Sequence, residues 1–258
     1  MRELDLAKKA AILAGNSVSR IAADSPAAAK EGRGNFVTSA DYASEEIIIQ
    51  LIKEHFPSDA ILSEESFTQL DNPDAFERLW VLDPLDGTNN YRFGRRYSCV
   101  SVGFASCGKL IAGAVYDPFH NELFSAVSGG GAWCNERRLL LGSGPEFAQC
   151  SLATDNSYDV EETKDNFRIL LGLEHLPWVL MRGSAVLSMC EVAAGRLDLY
   201  FHTRLKPWDN AAAFLIAAEA GAAVADFSGD PVSFLAAQAV VGSPALVAAF
   251  LAELRCGG

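Results

Sequence analysis

No apolar run in this chain reaches the roughly 18 residues that a membrane-spanning helix needs, so no membrane partner is expected. Basic residues are in deficit: 21 lysines and arginines stand against 33 aspartates and glutamates, for a net charge of −12. Nucleic acid is therefore not expected as a bulk partner, because a phosphate backbone needs a basic face. A small anionic substrate stays open, since cations gathered by carboxylates reverse the local field. None of the six cysteines forms C-x-x-C, and no Cys/His spacing suggests zinc. Cys99, Cys107, Cys134, Cys150, Cys190 and Cys256 are read as small thiols, mostly buried and without disulfides. Met1-Arg2-Glu3-Leu4-Asp5 mixes charges and lacks the basic-then-apolar order of a secretory signal. The expected compartment is cytoplasmic. Internal repeats and low-complexity linkers are also missing.

What is there is enough chain for a sizeable core: 258 residues bury about three quarters of their unfolded surface. Residues 2–24 carry Leu4, Ala7, Ala10, Ala11, Leu13, Ala14, Val18 and Ile21 at helical spacing, with Pro26 as terminator. Ala27 to Asn35 is polar and reads as a loop, either a lid or a linker. A second helix is expected from Ala40 to His55, with Asp41 in its first turn, where a carboxylate is favoured. Short strands are read at Ala60 to Leu62 and Leu79 to Leu82. An antiparallel meander follows: Cys99 to Ala105, Leu110 to Tyr116 after a turn at Gly108-Lys109, Glu122 to Val127, and Ala132 to Cys134. Asn135 to Arg138 reads as a turn. From Ser151 onward strands and helices alternate. The whole is read as one unit of two lobes, about 1–140 and 141–258, with the active site at their junction.

The stretch Trp80-Val81-Leu82-Asp83-Pro84-Leu85-Asp86-Gly87-Thr88-Asn89-Asn90 ends a buried strand at two aspartates three residues apart. Pro84 pushes Asp83 toward extended backbone, and Gly87 permits a tight turn. Two carboxylates about 4 Å apart repel by about 1 kcal/mol in water, and more as the dielectric falls. A cation, a shared proton or plain solvation at the turn would each accommodate such a pair.

Three more stretches narrow that choice: Thr38-Ser39-Ala40-Asp41, Ser63-Glu64-Glu65-Ser66 and Pro207-Trp208-Asp209-Asn210-Ala211-Ala212. With the central stretch they follow the order T-x-x-D, G-E-E, D-P-[IL]-D-G-T, W-D-x-A-A. In this the chain resembles the inositol monophosphatase family of Mg²⁺-dependent, lithium-sensitive phosphatases. The resemblance runs from about Asn35 into the 230s, with Ser63 where the family usually has glycine. It implies an α/β (α+β) fold, the layered αβαβα sandwich of sugar phosphatases. It implies hydrolysis of a phosphomonoester by direct attack of a metal-activated water. Glu64 and Asp83, with the Leu85 carbonyl, would bind a first Mg²⁺; Asp83, Asp86 and Asp209 a second; a third would sit near Glu64 and Glu65. Thr88, hydrogen-bonded to Asp41, would help activate the water, and Glu65 would help position it. The Gly87 and Thr88 amides would hold the phosphate, and Gly183-Ser184 would line the leaving group. A homodimer is also implied. The all-oxygen donor set itself selects Mg²⁺, or Mn²⁺, over zinc.

Substrate identity is weakly written. Where relatives that favour inositol monophosphates carry a glutamate, seven residues before Asp209, this chain has His202, with Arg204 and Lys206 close by. The expectation is a substrate-facing donor and a leaving group that is anionic or differs from inositol; solvent-facing side chains are the alternative. Arg182, or one of Arg92, Arg95 and Arg96, would add positive charge. Relatives act on fructose 1,6-bisphosphate, 3′-phosphoadenosine 5′-phosphate and histidinol phosphate, so these are alternatives for the small phosphorylated partner. The D-x-D spacing of haloacid-dehalogenase phosphatases and the EF-hand pattern both fail here. A non-catalytic metal-binding interaction protein is the rival from another class. It leaves Asp41, Glu65 and Thr88 unexplained.

Overall fold

A computed structural model describes residues 1–21, 27–32, 34–66 and 75–256, with the backbone alone at Cys256. Helix α1 (Arg2–Val18) buries Leu6, Ala7, Ala10, Ala11, Ala14 and Val18 along one stripe. It ends six residues before the reading from periodicity, and residues 22–26 lie outside the described chain. The stretch expected to be a loop holds a hairpin instead, β1 (Ala27–Ala29) paired antiparallel with β2 (Phe36–Thr38). The Lys30 amide donates to the Asn35 carbonyl at 2.9 Å, which closes it. Helix α2 (Ser39–His55) starts from a reciprocal cap: the Thr38 amide donates to Asp41 Oδ2 at 2.7 Å, and the Ala40 amide to Thr38 Oγ1 at 3.1 Å.

The first sheet takes β3 (Ala60–Ser63), β4 (Leu79–Asp86), β5 (Cys99–Ser106), β6 (Lys109–Asp117), β7 (Glu122–Val127), β8 (Gly131–Cys134) and β9 (Arg137–Leu139), in that order across the sheet. Only β3–β4 is parallel; the rest is the expected meander. The β5–β6 turn sits one residue earlier than expected, at Cys107 (φ 49°) and Gly108 (φ 74°). Two successive positive φ values give the hairpin turn that matches strand twist. The expected turn at Asn135 to Arg138 is shorter, and its second half is β9. The single turn α3 (Thr88–Arg92) lies between β4 and β5.

The second sheet has the order β11-β10-β12-β14-β13. Its strands are β10 (Ser151–Ala153), β11 (Trp178–Leu180), β12 (Leu199–His202), β13 (Ala223–Ala225) and β14 (Ala239–Gly242), interleaved with α4 (Val160–Gly172), α5 (Ala185–Ala193), α6 (Pro207–Ala220) and α7 (Pro244–Cys256). Three apolar clusters define five layers. The first joins α1 and α2 to one face of the first sheet. The second joins α5 and α6 to the other face of that sheet and to the second sheet. The third joins α4 and α7 to the far face of the second sheet. The result is an αβαβα sandwich with α6 in the middle layer.

How closely α6 approaches the first sheet is set by two glycines. A Cβ on Gly103 would lie 2.7 Å from Ala211 Cβ and 3.2 Å from the Ala212 nitrogen, and one on Gly113 would lie 2.9 Å from Ala212 Cα. The helix therefore rests on bare sheet backbone, as its small residues Ala211-Ala212-Ala213 allow. Gly103→Val is expected to destabilise the fold by about 1–3 kcal/mol through overpacking. An unchanged urea midpoint would show that α6 can retreat freely.

Candidate active site

Strand β4 is buried along Leu79 to Leu85 and runs four residues further than its apolar run suggests. Pro84 has no amide to give the ladder. Register accordingly slips between the Asp83–Ser101 and Asp86–Cys99 pairs. Around the slip, the Leu85 amide donates to Asp83 Oδ1 at 3.0 Å and Ser44 Oγ donates to the Pro84 carbonyl at 2.6 Å. Gly87 then turns at φ 82°, where a Cβ would lie 2.8 Å from the Tyr97 carbonyl. Both the conformation and the space require glycine.

This local geometry brings Asp83 and Asp86 up to the first turn of α6. Asp83, Asp86 and Asp209 each offer an oxygen within 4.8 Å of the others, the one such group of acid, cysteine or histidine side chains among the described residues. Each aspartate also spends an oxygen on protein donors. Asp83 Oδ1 accepts from Leu85, Asp209 Oδ2 accepts from the Lys206 amide at 2.7 Å, and Asp86 Oδ2 accepts from the Val186 amide at 2.9 Å and from Ser184 Oγ. Burial, then the charge of Glu64, holds Asp83 well above the carboxylate range; burial, then Asp86, does the same for Asp209. Asp86 is pushed up to about 7, chiefly by burial, against the opposing pull of the Ser184 and Val186 donors. Clustered, desolvated carboxylates of this kind are costly without a cation. Three hard oxygen donors with no nitrogen or sulfur among them fit Mg²⁺ or Mn²⁺.

Beside the triad, Asp41 is fully buried and serves two ends. Its Oδ2 caps α2, accepting also from Thr38 Oγ1 at 2.5 Å, while its Oδ1 lies 3.1 Å from Thr88 Oγ1. Thr88 Oγ1 is also 2.9 Å from the Leu85 carbonyl, so its single proton has two acceptors. Glu64 stands outside the triad. Lys30 Nζ, reaching from the hairpin, donates to Glu64 Oε1 at 2.8 Å and to Glu65 Oε1 at 2.9 Å. Burial, then the charge of Glu64, raises Glu65 to about 7 despite this ammonium. Ser63 donates to buried Glu45 Oε1 at 2.5 Å, so the residue that departs from the family glycine is tied to α2.

The expectation for His202 is corrected. It is 5% exposed, its Nδ1 accepts from the Arg204 amide at 2.9 Å, and burial pushes its pKa down to about 4. It is a neutral core histidine on β12 with no free face for a substrate. Arg204 Nε lies 3.4 Å from Glu162 Oε1, and Arg182 pairs with Glu191 and stacks on Tyr97 with 4.2 Å to the ring centroid. Arg92 lies 3.6 Å over the Phe36 ring and Arg95 5.4 Å over Phe93. Ser184 is 1% exposed, with its hydroxyl on Asp86 and not open to a leaving group. Gly183 precedes it at φ 76°. Two participants escaped the sequence reading. Lys30 carries no motif; its only signal is a cation in the stretch before Thr38. Asp155 lies two residues beyond β10, and its Oδ1 accepts from the Arg182 and Gly183 amides at 3.0 and 2.6 Å.

The raised carboxylates set a pH dependence. Between their unfolded values near 4 and the value of about 7 reached by Asp86 and Glu65, the folded state binds more protons than the unfolded one. Stability must then fall as pH rises through that window. The metal-free protein is expected to melt at a lower temperature at pH 8 than at pH 5, with Mg²⁺ restoring most at pH 8. A melting temperature that climbs with pH in the absence of metal would contradict this origin.

Comparison with known proteins gives a consistent result. The model of the inositol monophosphatase family matches residues 2–257. A Vibrio cholerae protein named Nus factor SuhB is 36% identical over 259 residues, covering 99% of this chain and 96% of that one. Inositol-1-monophosphatase from a Synechocystis species is 37% identical over 233 residues, covering 88% and 80%. The solved inositol monophosphatase from Anabaena superposes with a TM-score of 0.86 at 35% identity, covering 98% and 95%. With its five layers and its aspartate triad in place, the chain belongs to the inositol monophosphatase family.

Proposed function

We propose that this chain is a Mg²⁺-dependent phosphomonoesterase acting on a small phosphorylated polyol or sugar. The observation that carries the reading is the placement of the buried Thr88–Asp41 pair two residues along the chain from Asp86 of the triad of Asp83, Asp86 and Asp209. The triad, with Glu64 and the Leu85 carbonyl nearby, would hold two or three Mg²⁺ ions, with Mn²⁺ as a substitute. Bound there, the cations would neutralise the phosphate oxygens and acidify an attacking water. Thr88 Oγ1 would take a proton from that water while passing its own to Asp41 Oδ1. The Gly87 and Thr88 amides open α3, and the first amides of a helix have no acceptor within it. They would bind the phosphate oxygens. Glu65, beside Glu64, would orient the water.

The pairing of three cations among the described residues supports a neutral leaving group. Lys30, Arg182 and Arg204 each have a carboxylate partner. That argues against a second phosphate, and so against fructose 1,6-bisphosphate and 3′-phosphoadenosine 5′-phosphate. Relatives named Nus factor support a second reading, in which the chain acts through a partner and not through catalysis. Phosphate release from a panel of inositol 1-phosphate, sugar phosphates, histidinol phosphate and the two bisphosphates, with and without Mg²⁺, separates these readings. Release is expected to require Mg²⁺ and to fall at least about 100-fold in Asp86→Asn with the fold intact by circular dichroism. Metal binding without release from any member would favour the partner reading.

We also read the working unit as a homodimer. Support comes from the edge strand β11 and the residues flanking it, where Leu176, Trp178 and Met181 are 57%, 73% and 44% exposed. Exposed apolar groups gathered at an edge mark association sites. Light scattering is expected to give twice the 27.7 kDa chain mass, and Trp178→Glu to halve it. A monomer for the unaltered chain ends this reading.

A further inference from the structure

Asp86 belongs to the first sheet and takes a weak thiol contact there from Cys99 Sγ at 4.0 Å, yet its oxygen and nitrogen donors come from the start of α5. Ser184 caps α5, its hydroxyl accepting from the Leu187 amide at 3.2 Å. A hydroxyl has one proton, and that of Ser184 goes to Asp86 Oδ2, which also receives the Val186 amide at 2.9 Å. The described donors to Asp86 thus all meet Oδ2, and none is recorded on Oδ1 among the described residues. The turn that delivers Ser184 is gripped from both sides. Asn90, 4% exposed on α3, has its Nδ2 within 2.7 Å of the Arg182 carbonyl, 3.1 Å of the Gly183 carbonyl and 2.9 Å of the Tyr97 carbonyl. From the other lobe, Asp155 Oδ1 takes the Arg182 and Gly183 amides. A Cβ on Gly183 would lie 3.0 Å from Asn90 Nδ2, so the close grip also depends on glycine.

We propose that Ser184 is a positioning residue for the metal ligand Asp86, set in place by the Asn90–Asp155 grip on the turn at 182–183, and not a contact to the leaving group. This rests on the reading of the triad as a Mg²⁺ site. Mg²⁺ demands near-ideal octahedral geometry. A carboxylate free to rotate would present either oxygen over a range of directions, whereas one pinned at Oδ2 presents Oδ1 along one. Loss of such outer partners elsewhere costs about 10–100-fold in metal affinity.

The test is calorimetric titration of the metal-free full chain with Mg²⁺, without substrate, for the unaltered protein, Ser184→Ala, Ser184→Thr and Asn90→Ala. Ser184→Ala is expected to bind Mg²⁺ about 10–100-fold more weakly. Ser184→Thr, which keeps the hydroxyl, is expected to stay near the unaltered value, and Asn90→Ala to move in the direction of Ser184→Ala. At saturating Mg²⁺ the KM of Ser184→Ala should be unchanged. Unaltered Mg²⁺ affinity in Ser184→Ala, or a defect seen only in KM, would overturn the proposal and return the hydroxyl to the substrate. Should Ser184→Ala fail to fold, Ser184→Cys replaces it with the same expected loss. Because titration needs no turnover, a chain that binds Mg²⁺ normally but releases no phosphate would defeat the phosphatase reading and leave this one standing.

Discussion

Three clustered carboxylates that repel one another, one buried and two half-buried, are the constraint around which this structure is arranged. Asp83 and Asp86 come from a strand end and Asp209 from a helix start in the next layer, and each has one oxygen engaged by a backbone amide. Burial makes their mutual repulsion expensive and makes a divalent cation correspondingly welcome. The same condition explains the neighbours. Lys30 answers Glu64 and Glu65 with an ammonium, and Asp41 and Asp209 are each held by the helix cap at Thr38 or Lys206.

The capping geometry shows how one residue serves both fold and chemistry. Asp41 holds the start of α2 with one oxygen and Thr88 with the other. Its local role as a helix-start acid and its implied role beside the water are therefore not competing explanations. Asp209 repeats the arrangement at α6, one oxygen on the Lys206 amide and one in the cluster.

Much of the fold was legible because its signals are local. The meander could be read from its strands and turn residues, and α2 from its helical spacing. Asp83, Asp86 and Asp209 could be listed because they sit in short motifs with Pro84, Gly87 and Trp208 beside them. What stayed hidden depends on partners distant in sequence. β1 is Ala27-Ala28-Ala29, a run of weak strand formers that is extended only because β2 pairs with it. β9 is three residues of a charged turn recruited by β8. Lys30 meets Glu64 and Glu65 only in three dimensions. His202 sits at a motif position yet lies in a strand buried on both faces, and burial decides its chemistry. Ser184 looks like an ordinary helix cap from its own neighbours; that its proton is spent on Asp86 depends on a residue 98 positions away.

The contact of α6 with Gly103 and Gly113 has a consequence for tolerance. Side chains can change rotamer, but a helix seated on sheet backbone has nothing soft beneath it. The depth at which Asp209 enters the cluster is thus fixed by main chain on main chain, like a part machined to a stop. Asp86, by contrast, takes its direction from a turn whose hydrogen bonds can stretch. When the middle layer loosens, as heat or a core substitution would loosen it, alignment should drift first at Asp86 and last at Asp209. The cluster therefore has a fixed jaw and an adjustable one.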